Sequence, residues 1–316
     1  MQQTATLENA PWEQPSPIRN EFGKLMHHAR RAIDAGDTER IMQIGERLSK
    51  VEKWGQPQTD LYIQIAPHMP LSDHVMARSE KLNTELLNDW GVELEGLRAG
   101  WPSMSTDNKI MVMQTVLNRQ MQKYGLENPP RVGLFDEGPE ADGGVEFGHY
   151  DPRSHRVEIN EDKRGILNNF DECMATIIHE GTHAVQVELG KMHKDGRIAP
   201  NHPLADTARV FALETDFINR CEDEGHYPGG DYVVMAAERH AYHADEHFTR
   251  QMKEGQANRM VRAMRRQMVQ DSSATKAVSA DADGMDLLGG FTASMEQPGK
   301  VTPRRVVPRR VTPGGN

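Results

Sequence analysis

Apolar positions in the first third of the chain recur at intervals of three and four residues, as they do on one face of an amphipathic helix. Ser16 and Asp37 are residue types that cap helix N-termini, and each stands just before one of these segments. Gly91 follows a third segment and is typical of a helix end. The pattern predicts a helical hairpin followed by a further helix, over about residues 17–35, 38–51 and 72–90.

A change in pattern follows residue 104. Ser105 precedes an apolar stripe that runs to Tyr124, which predicts another helix. Shorter runs follow, and they predict a strand over residues 130–135 and a hairpin of two strands, 144–150 and 155–160. A free edge of this hairpin could pair with an extended peptide backbone.

The next predicted helix carries the sequence His179-Glu180-Gly181-Thr182-His183. Residues four apart on a helix share a face, so both histidines can turn a ring nitrogen toward one ion. Glu180 lies about 100° round the helix from His179, close enough to reach a ligand of that ion. Catalytic zinc sites use three protein ligands and leave one position for water, whose pKa falls to roughly 7.

The flanks of this motif are apolar, and within residues 176–185 the only charged side chain is that of Glu180. Such flanks predict a buried helix, capped by Asn168, Asn169 or Asp171. The alternative is a core helix whose two histidines are satisfied by hydrogen bonds. Burying two histidines and a glutamate together is costly without a partner such as a metal ion, which favours the metal site.

A helix, a strand, a hairpin and then a helix with this motif resemble the zincin superfamily of zinc metallopeptidases over residues 105–255. The resemblance implies Zn²⁺ as cofactor, His179 and His183 as ligands, Glu180 as general base, and hydrolysis of peptide bonds.

One branch of that superfamily, the metzincins, does not fit. Its pattern has glycine and histidine where this chain has Gln186 and Leu189. The third ligand is therefore expected from a downstream helix, as in gluzincins.

Two glutamates are candidates for that third ligand. Glu238 is followed three residues later by Ala241, which matches the Glu-x-x-Ala pattern of several gluzincins. Glu214 is nearer in sequence, but bulky Phe217 takes the position of the alanine. Both lie on apolar stripes, and a buried carboxylate needs a cationic partner. The glutamate that is not a ligand is expected to hold a ligand histidine or to form an ion pair.

Other side chains downstream offer further chemistry. Tyr232 and Tyr242 are candidates to donate a hydrogen bond to the developing oxyanion, although a buried tyrosine is more often a core residue. Residues 243–247 read His-x-x-Glu-His, the order of inverzincins. The neighbouring His240 and Asp245 suggest instead that this helix face is polar and partly solvated. His240 or His243 could still reach the cleft in which a metal ion of the zincin type would lie.

Charge and composition limit the possible function classes and cellular locations of the protein. The formal net charge is −10 and is spread along the chain, which argues against a general nucleic-acid binder. No apolar run approaches the length of a membrane span, and residues 1–17 lack a secretory signal pattern. Two cysteines, Cys173 and Cys221, cannot make a disulfide framework. A cytoplasmic protein, or one exported without a signal peptide, is expected.

These observations predict a mainly helical α+β fold with a small sheet before the metal helix. Residues 301–313 are basic with regularly spaced prolines, as in a disordered tail that can dock an acidic partner. The predicted organisation is a flexible lead at 1–15, a helical N-terminal lobe at 16–104, a zincin-like catalytic domain at 105–255, and a helical extension with a disordered tail at 256–316.

The predicted function is that of a zinc endopeptidase acting on protein or peptide substrates. The alternative is a zinc-binding or catalytically inactive scaffold of zincin fold, such as an effector, phage or mobile-element protein. Glu180 favours the enzyme, because a scaffold needs no ionisable group at that position.

Overall fold

The computed structural model of the chain describes residues 17–52, 54–138, 146–161, 166–225 and 229–279. The predicted flexible lead and the predicted basic tail from residue 280 onward lie outside these residues. Within them the fold is α+β and mainly helical, as predicted. The helices are α1 Pro17–Ala35, α2 Thr38–Ser49, α3 Gln56–Ile65, α4 Asp73–Gly100, α5 Thr106–Tyr124, α6 Phe170–Lys194, α7 Ala205–Glu224 and α8 Ala236–Ser279; the strands are β1 Arg131–Phe135, β2 Gly148–Asp151 and β3 Arg156–Asn160.

Three helices differ from the prediction. Helix α4 was expected to end at Gly91 but continues to Gly100, because the buried Gly91 lies in a helix that packs along α8. Helix α3 was not predicted; it has a proline in its first turn, a favoured position. Helix α8 continues past the point where the apolar pattern fades, since no proline interrupts residues 236–279. No helix in the described ranges has the length and apolarity that crossing a bilayer requires.

Two hydrophobic clusters form the core. The first joins α4, α5, α6, α8 and the sheet, and its large side chains include Trp101 and Phe170 in an edge-to-face contact. The second joins α1, α2 and α3 to α7, where Tyr62 and Phe217 stack with ring centroids 4.0 Å apart. Helix α6 packs against both α7 and α8 and so lies between the two clusters.

The sheet has the order β1-β3-β2, with β1 parallel and β2 antiparallel to β3. The predicted hairpin is confirmed with shorter strands, and residues 144 and 145 of its expected first strand lie outside the described residues. Asp151 accepts hydrogen bonds from the backbone of Arg153 and Ser154 in the turn. Strand β2 lies against α6, and a side chain at Gly148 would come within 2.8 Å of both Glu158 O and Thr176 Cγ2. This close approach places a sheet edge beside the turn that precedes His179.

Hydrogen bonds at the N-terminus of α6 and from α5 fix the position of this helix. Asn169, one of three predicted caps, accepts hydrogen bonds from the backbone of Asp171 and Glu172. From α5, the amide of Gln120 donates to the carbonyl of Ile178 at 3.0 Å. These bonds fix where the motif helix begins and how its middle faces α5.

Gly190 marks the close crossing of α6 and α7. A Cβ there would lie 3.0 Å from the backbone N and Cα of Ala212, whereas one at Gly96 in α4 would meet nothing within 4 Å. We expect Gly190→Ala to lower the free energy of unfolding by about 1–3 kcal/mol through overpacking. Gly96→Ala should raise it by up to about 1 kcal/mol, because alanine favours helix. Urea unfolding of both variants tests this, and equal stabilisation would contradict the crossing.

Candidate metal centre

Helices α6 and α8 bring two histidines and a glutamate together. His179 Nε2 lies 3.5 Å from one carboxylate oxygen of Glu238, and His183 Nε2 lies 3.2 Å from the other. The three possible ligand atoms all lie within 4.8 Å of one another. This group could hold a metal ion. Of the two glutamates considered from the sequence, Glu238 is the one at this position.

The charges of the imidazoles and of the carboxylate in the His-His-Glu group stabilise one another. Burial alone would raise the pKa of Glu238, but the imidazoles of His183 and His179 hold that pKa well below its usual range. Burial alone would lower the pKa of His179, but Asp245 and Glu238 raise that pKa well above its usual range. The buried carboxylate thus requires positive charge beside it, which either imidazolium groups or a metal ion can supply.

Each candidate ligand histidine is also hydrogen-bonded through its other ring nitrogen, Nδ1. His179 Nδ1 lies 2.7 Å from Asp245 Oδ2, and His183 Nδ1 lies 2.9 Å from Gln186 Oε1. Both contacts turn the Nε2 atoms toward Glu238. A hydrogen bond at Nδ1 that fixes the ring and its tautomer is typical of metal-ligating histidines, so these side chains fit a metal ion.

Glu180 is only 7% exposed, and it makes no hydrogen bond or ion pair with any other residue that the structure describes. Burial raises the pKa of this carboxyl group, and the imidazoles oppose that rise. One of them is His149 on β2, which is itself in contact with Glu146 and Glu158. An unpaired buried carboxyl group beside the His-His-Glu group is suited to accept a proton.

Glu214 lies elsewhere and takes neither role expected for it. Its two carboxylate oxygens accept hydrogen bonds, each of 2.8 Å, from the backbone N–H groups of Ala236 and Ala237. Glu214 therefore caps the N-terminus of α8, two residues before Glu238. Burial raises the pKa of Glu214 to about 7, against the opposing effect of the two backbone hydrogen bonds.

The raised pKa of Glu214 makes the free energy of unfolding depend on pH. Its folded-state pKa of about 7 lies above its ordinary value of 4.5, so the folded protein binds the proton more tightly. The free energy of unfolding must then fall as pH rises from about 4.5 to about 7, by up to about 3 kcal/mol from this group.

Unfolding of the metal-free wild type and of Glu214→Gln across this pH range measures the effect. The stability difference, wild type minus variant, should decrease with rising pH, while changes at the shared histidines cancel. A difference that increases with pH would contradict this assignment.

The two candidate tyrosines lie in different places. The ring of Tyr242 contacts that of His179 edge-on, with centroids 4.8 Å apart, and burial raises the pKa of its hydroxyl. Tyr232 packs against the second hydrophobic cluster instead. Among the contacts described, only Tyr242 therefore borders the His-His-Glu group.

The inverse motif does not converge on one point. His243 Nε2 lies 3.0 Å from Glu80 of α4, His247 contacts Gln251, and Glu246 is exposed. The expectation of a partly solvated face was wrong for His240 and His247, which are buried, whereas Asp245 is partly exposed and is hydrogen-bonded to His179. Burial lowers the pKa of His240 to about 3.

Two residues at the site were missed by the sequence reasoning. Asp245 follows Glu238 by seven residues, and Gln186 follows His183 by three. Both spacings place side chains on one helix face, so a search for polar partners at these spacings would have found them.

In comparisons with known proteins, the chain matches no protein-family model, no curated protein and no solved structure.

Proposed function

We propose that the protein is a zinc-dependent metallopeptidase of the zincin type that hydrolyses internal peptide bonds in protein or peptide substrates. The observation that carries this proposal is the unpaired, buried carboxyl group of Glu180 beside His179, His183 and Glu238. A site that only bound a metal for stability would have no need of it.

The ligand set together with the His-Glu-x-x-His motif favours zinc. Two imidazoles and one carboxylate form a ligand set of known catalytic zinc sites, which leave a further coordination position open. When bound, zinc would supply a Lewis acid that lowers the pKa of water to about 7 and polarises a carbonyl group.

The side chains of this chain supply the proton transfers. Glu180 takes a proton from the attacking water and later passes it to the leaving amine. Its raised pKa suits both roles, because a general base works best when its pKa is near the working pH. Tyr242, beside His179, is the candidate donor to the developing oxyanion.

Metal-dependent cleavage tests the proposal. Purified protein would be stripped with a chelator, reconstituted with Zn²⁺, and incubated with a peptide library whose new termini are identified by mass spectrometry. We expect cleavage at internal bonds with zinc, its loss on chelation, and its return on adding zinc. Zinc binding without any cleavage would contradict the peptidase and support a zinc-binding scaffold.

A further inference from the structure

We propose that Gln186, His240 and Ser79 form a positioning chain that holds the ring of His183 for metal binding through Nε2. One backbone carbonyl, that of Ala237, sets the direction of each hydrogen bond from His183 to Ser79. The inference rests on the proposed metal site, but its hydrogen bonds belong to the protein itself.

The amide of Gln186 is the centre of this chain and is 3% exposed. Its Nε2 lies 2.8 Å from Ala237 O and 3.1 Å from His240 Nδ1, and its Oε1 lies 2.9 Å from His183 Nδ1. One side chain of α6 thus joins a candidate ligand on its own helix to the backbone and a histidine of α8.

The Ala237 carbonyl can only accept a hydrogen bond, so the NH₂ group of Gln186 must face it. The amide oxygen then faces His183 and can only accept. The proton of His183 is therefore on Nδ1, which leaves the lone pair of Nε2 free for a metal ion.

The same reasoning extends to the other end of the chain. His240 Nδ1 accepts from Gln186, so its proton is on Nε2. That N–H donates to Ser79 Oγ at 2.6 Å, and Ser79 Oγ is also hydrogen-bonded to the Tyr124 hydroxyl group at 2.7 Å. The positioning chain thus connects α6, through α8, to α4 and α5.

Packing keeps the chain in one arrangement. His240 and Ser79 are both fully buried, and the ring of Phe211 on α7 stacks on His240 with centroids 5.7 Å apart. A buried network with every hydrogen bond made is rigid, because any reversal would leave polar groups unpaired. The two ligand rings are therefore held differently: His179 by the carboxylate of Asp245, His183 by a neutral amide.

Histidine tautomers give a direct test in the wild-type protein. Long-range ¹H–¹⁵N spectra distinguish rings protonated at Nδ1 from rings protonated at Nε2. We expect His240 to carry its proton on Nε2 with or without zinc, and zinc-bound His183 to carry it on Nδ1. His240 protonated at Nδ1 would overturn the proposed chain.

Variants test whether the chain acts on the metal. We expect Gln186→Leu and His240→Phe to weaken zinc affinity about 10- to 100-fold, as for other outer partners of ligand histidines. Both should also change the visible absorption spectrum of the Co²⁺-substituted protein. The matched control is His247→Phe, a buried histidine of the same helix outside the chain, which should leave affinity and spectrum unchanged.

The outcomes separate the two proposals. An effect of His240→Phe no larger than that of His247→Phe would overturn the positioning role. Failure of the wild type to bind zinc would overturn the proposed function, while the His240 tautomer in metal-free protein would still decide the direction of the chain. If Gln186→Leu does not fold, the wild-type spectra and the comparison of His240→Phe with His247→Phe still test the positioning chain.

Discussion

Glu180→Gln should reduce peptide hydrolysis by a factor on the order of 10²–10⁴, the usual contribution of a general acid–base group. The amide keeps the shape of the side chain but cannot take a proton from water. Zinc content should not change, because the candidate ligands are His179, His183 and Glu238. Initial cleavage rates and metal analysis on the same preparation measure both quantities.

Stability gives this variant a second readout. In the metal-free protein, burial raises the pKa of Glu180 and disfavours its ionised form, so metal-free Glu180→Gln should be at least as stable as the metal-free wild type at neutral pH. Glu188→Gln is the matched control, since it removes the same charge from the same helix at a more exposed position. Wild-type cleavage rates in Glu180→Gln would exclude Glu180 as the general base.

Glu238→Gln should remove zinc from the protein, with an affinity loss larger than the roughly 10- to 100-fold expected for an outer partner. A neutral amide is a poor replacement for a carboxylate ligand, and His179 and His183 would lose the negative charge that faces them. Competition with a chromogenic chelator measures the affinity.

Glu214→Gln is the control for this change, because Glu214 is equally buried but caps α8 instead of facing the histidines. It should keep zinc, and its stability relative to the wild type should follow the pH dependence expected for a carboxyl group with a raised pKa. Retention of zinc by Glu238→Gln together with its loss from Glu214→Gln would show that the two roles are reversed.

The two histidines and Glu180 could be identified from sequence because their arrangement is local. A spacing of four residues on one helix fixes which side chains share a face, whatever the helix packs against. The hairpin and the cap at Asn169 follow from equally local signals. These features needed no knowledge of the tertiary fold.

The third side chain of the group depends on how helices cross. Glu214 and Glu238 both lie on apolar stripes, and only the packing of α6 against α8 decides which one meets the histidines. The stripe that holds Glu214 also carries Phe217, which stacks on Tyr62 in the other hydrophobic cluster. Motif fit favoured Glu238, but spacing alone left both open.

The positions of Asp245 and His240 also could not be predicted without knowing how the helices pack. A run of polar residues usually marks a solvated helix face, so both were expected on a partly solvated face, although His240 was also considered close to the site. In the fold, α8 packs against both α4 and α6, so its polar positions meet Ser79, Gln186 and His179. Helical spacing can mark such polar residues as candidates, but only the packing of the helices shows which of them meet partners instead of solvent.

The most direct test of the metal centre is an anomalous diffraction map of crystals of the zinc-loaded protein, measured at the zinc absorption edge. We predict one strong peak within bonding distance of His179 Nε2, His183 Nε2 and the Glu238 carboxylate. A zinc-loaded crystal with no peak between these three side chains, or with its peak at other residues, would contradict the metal site on which the proposed function rests.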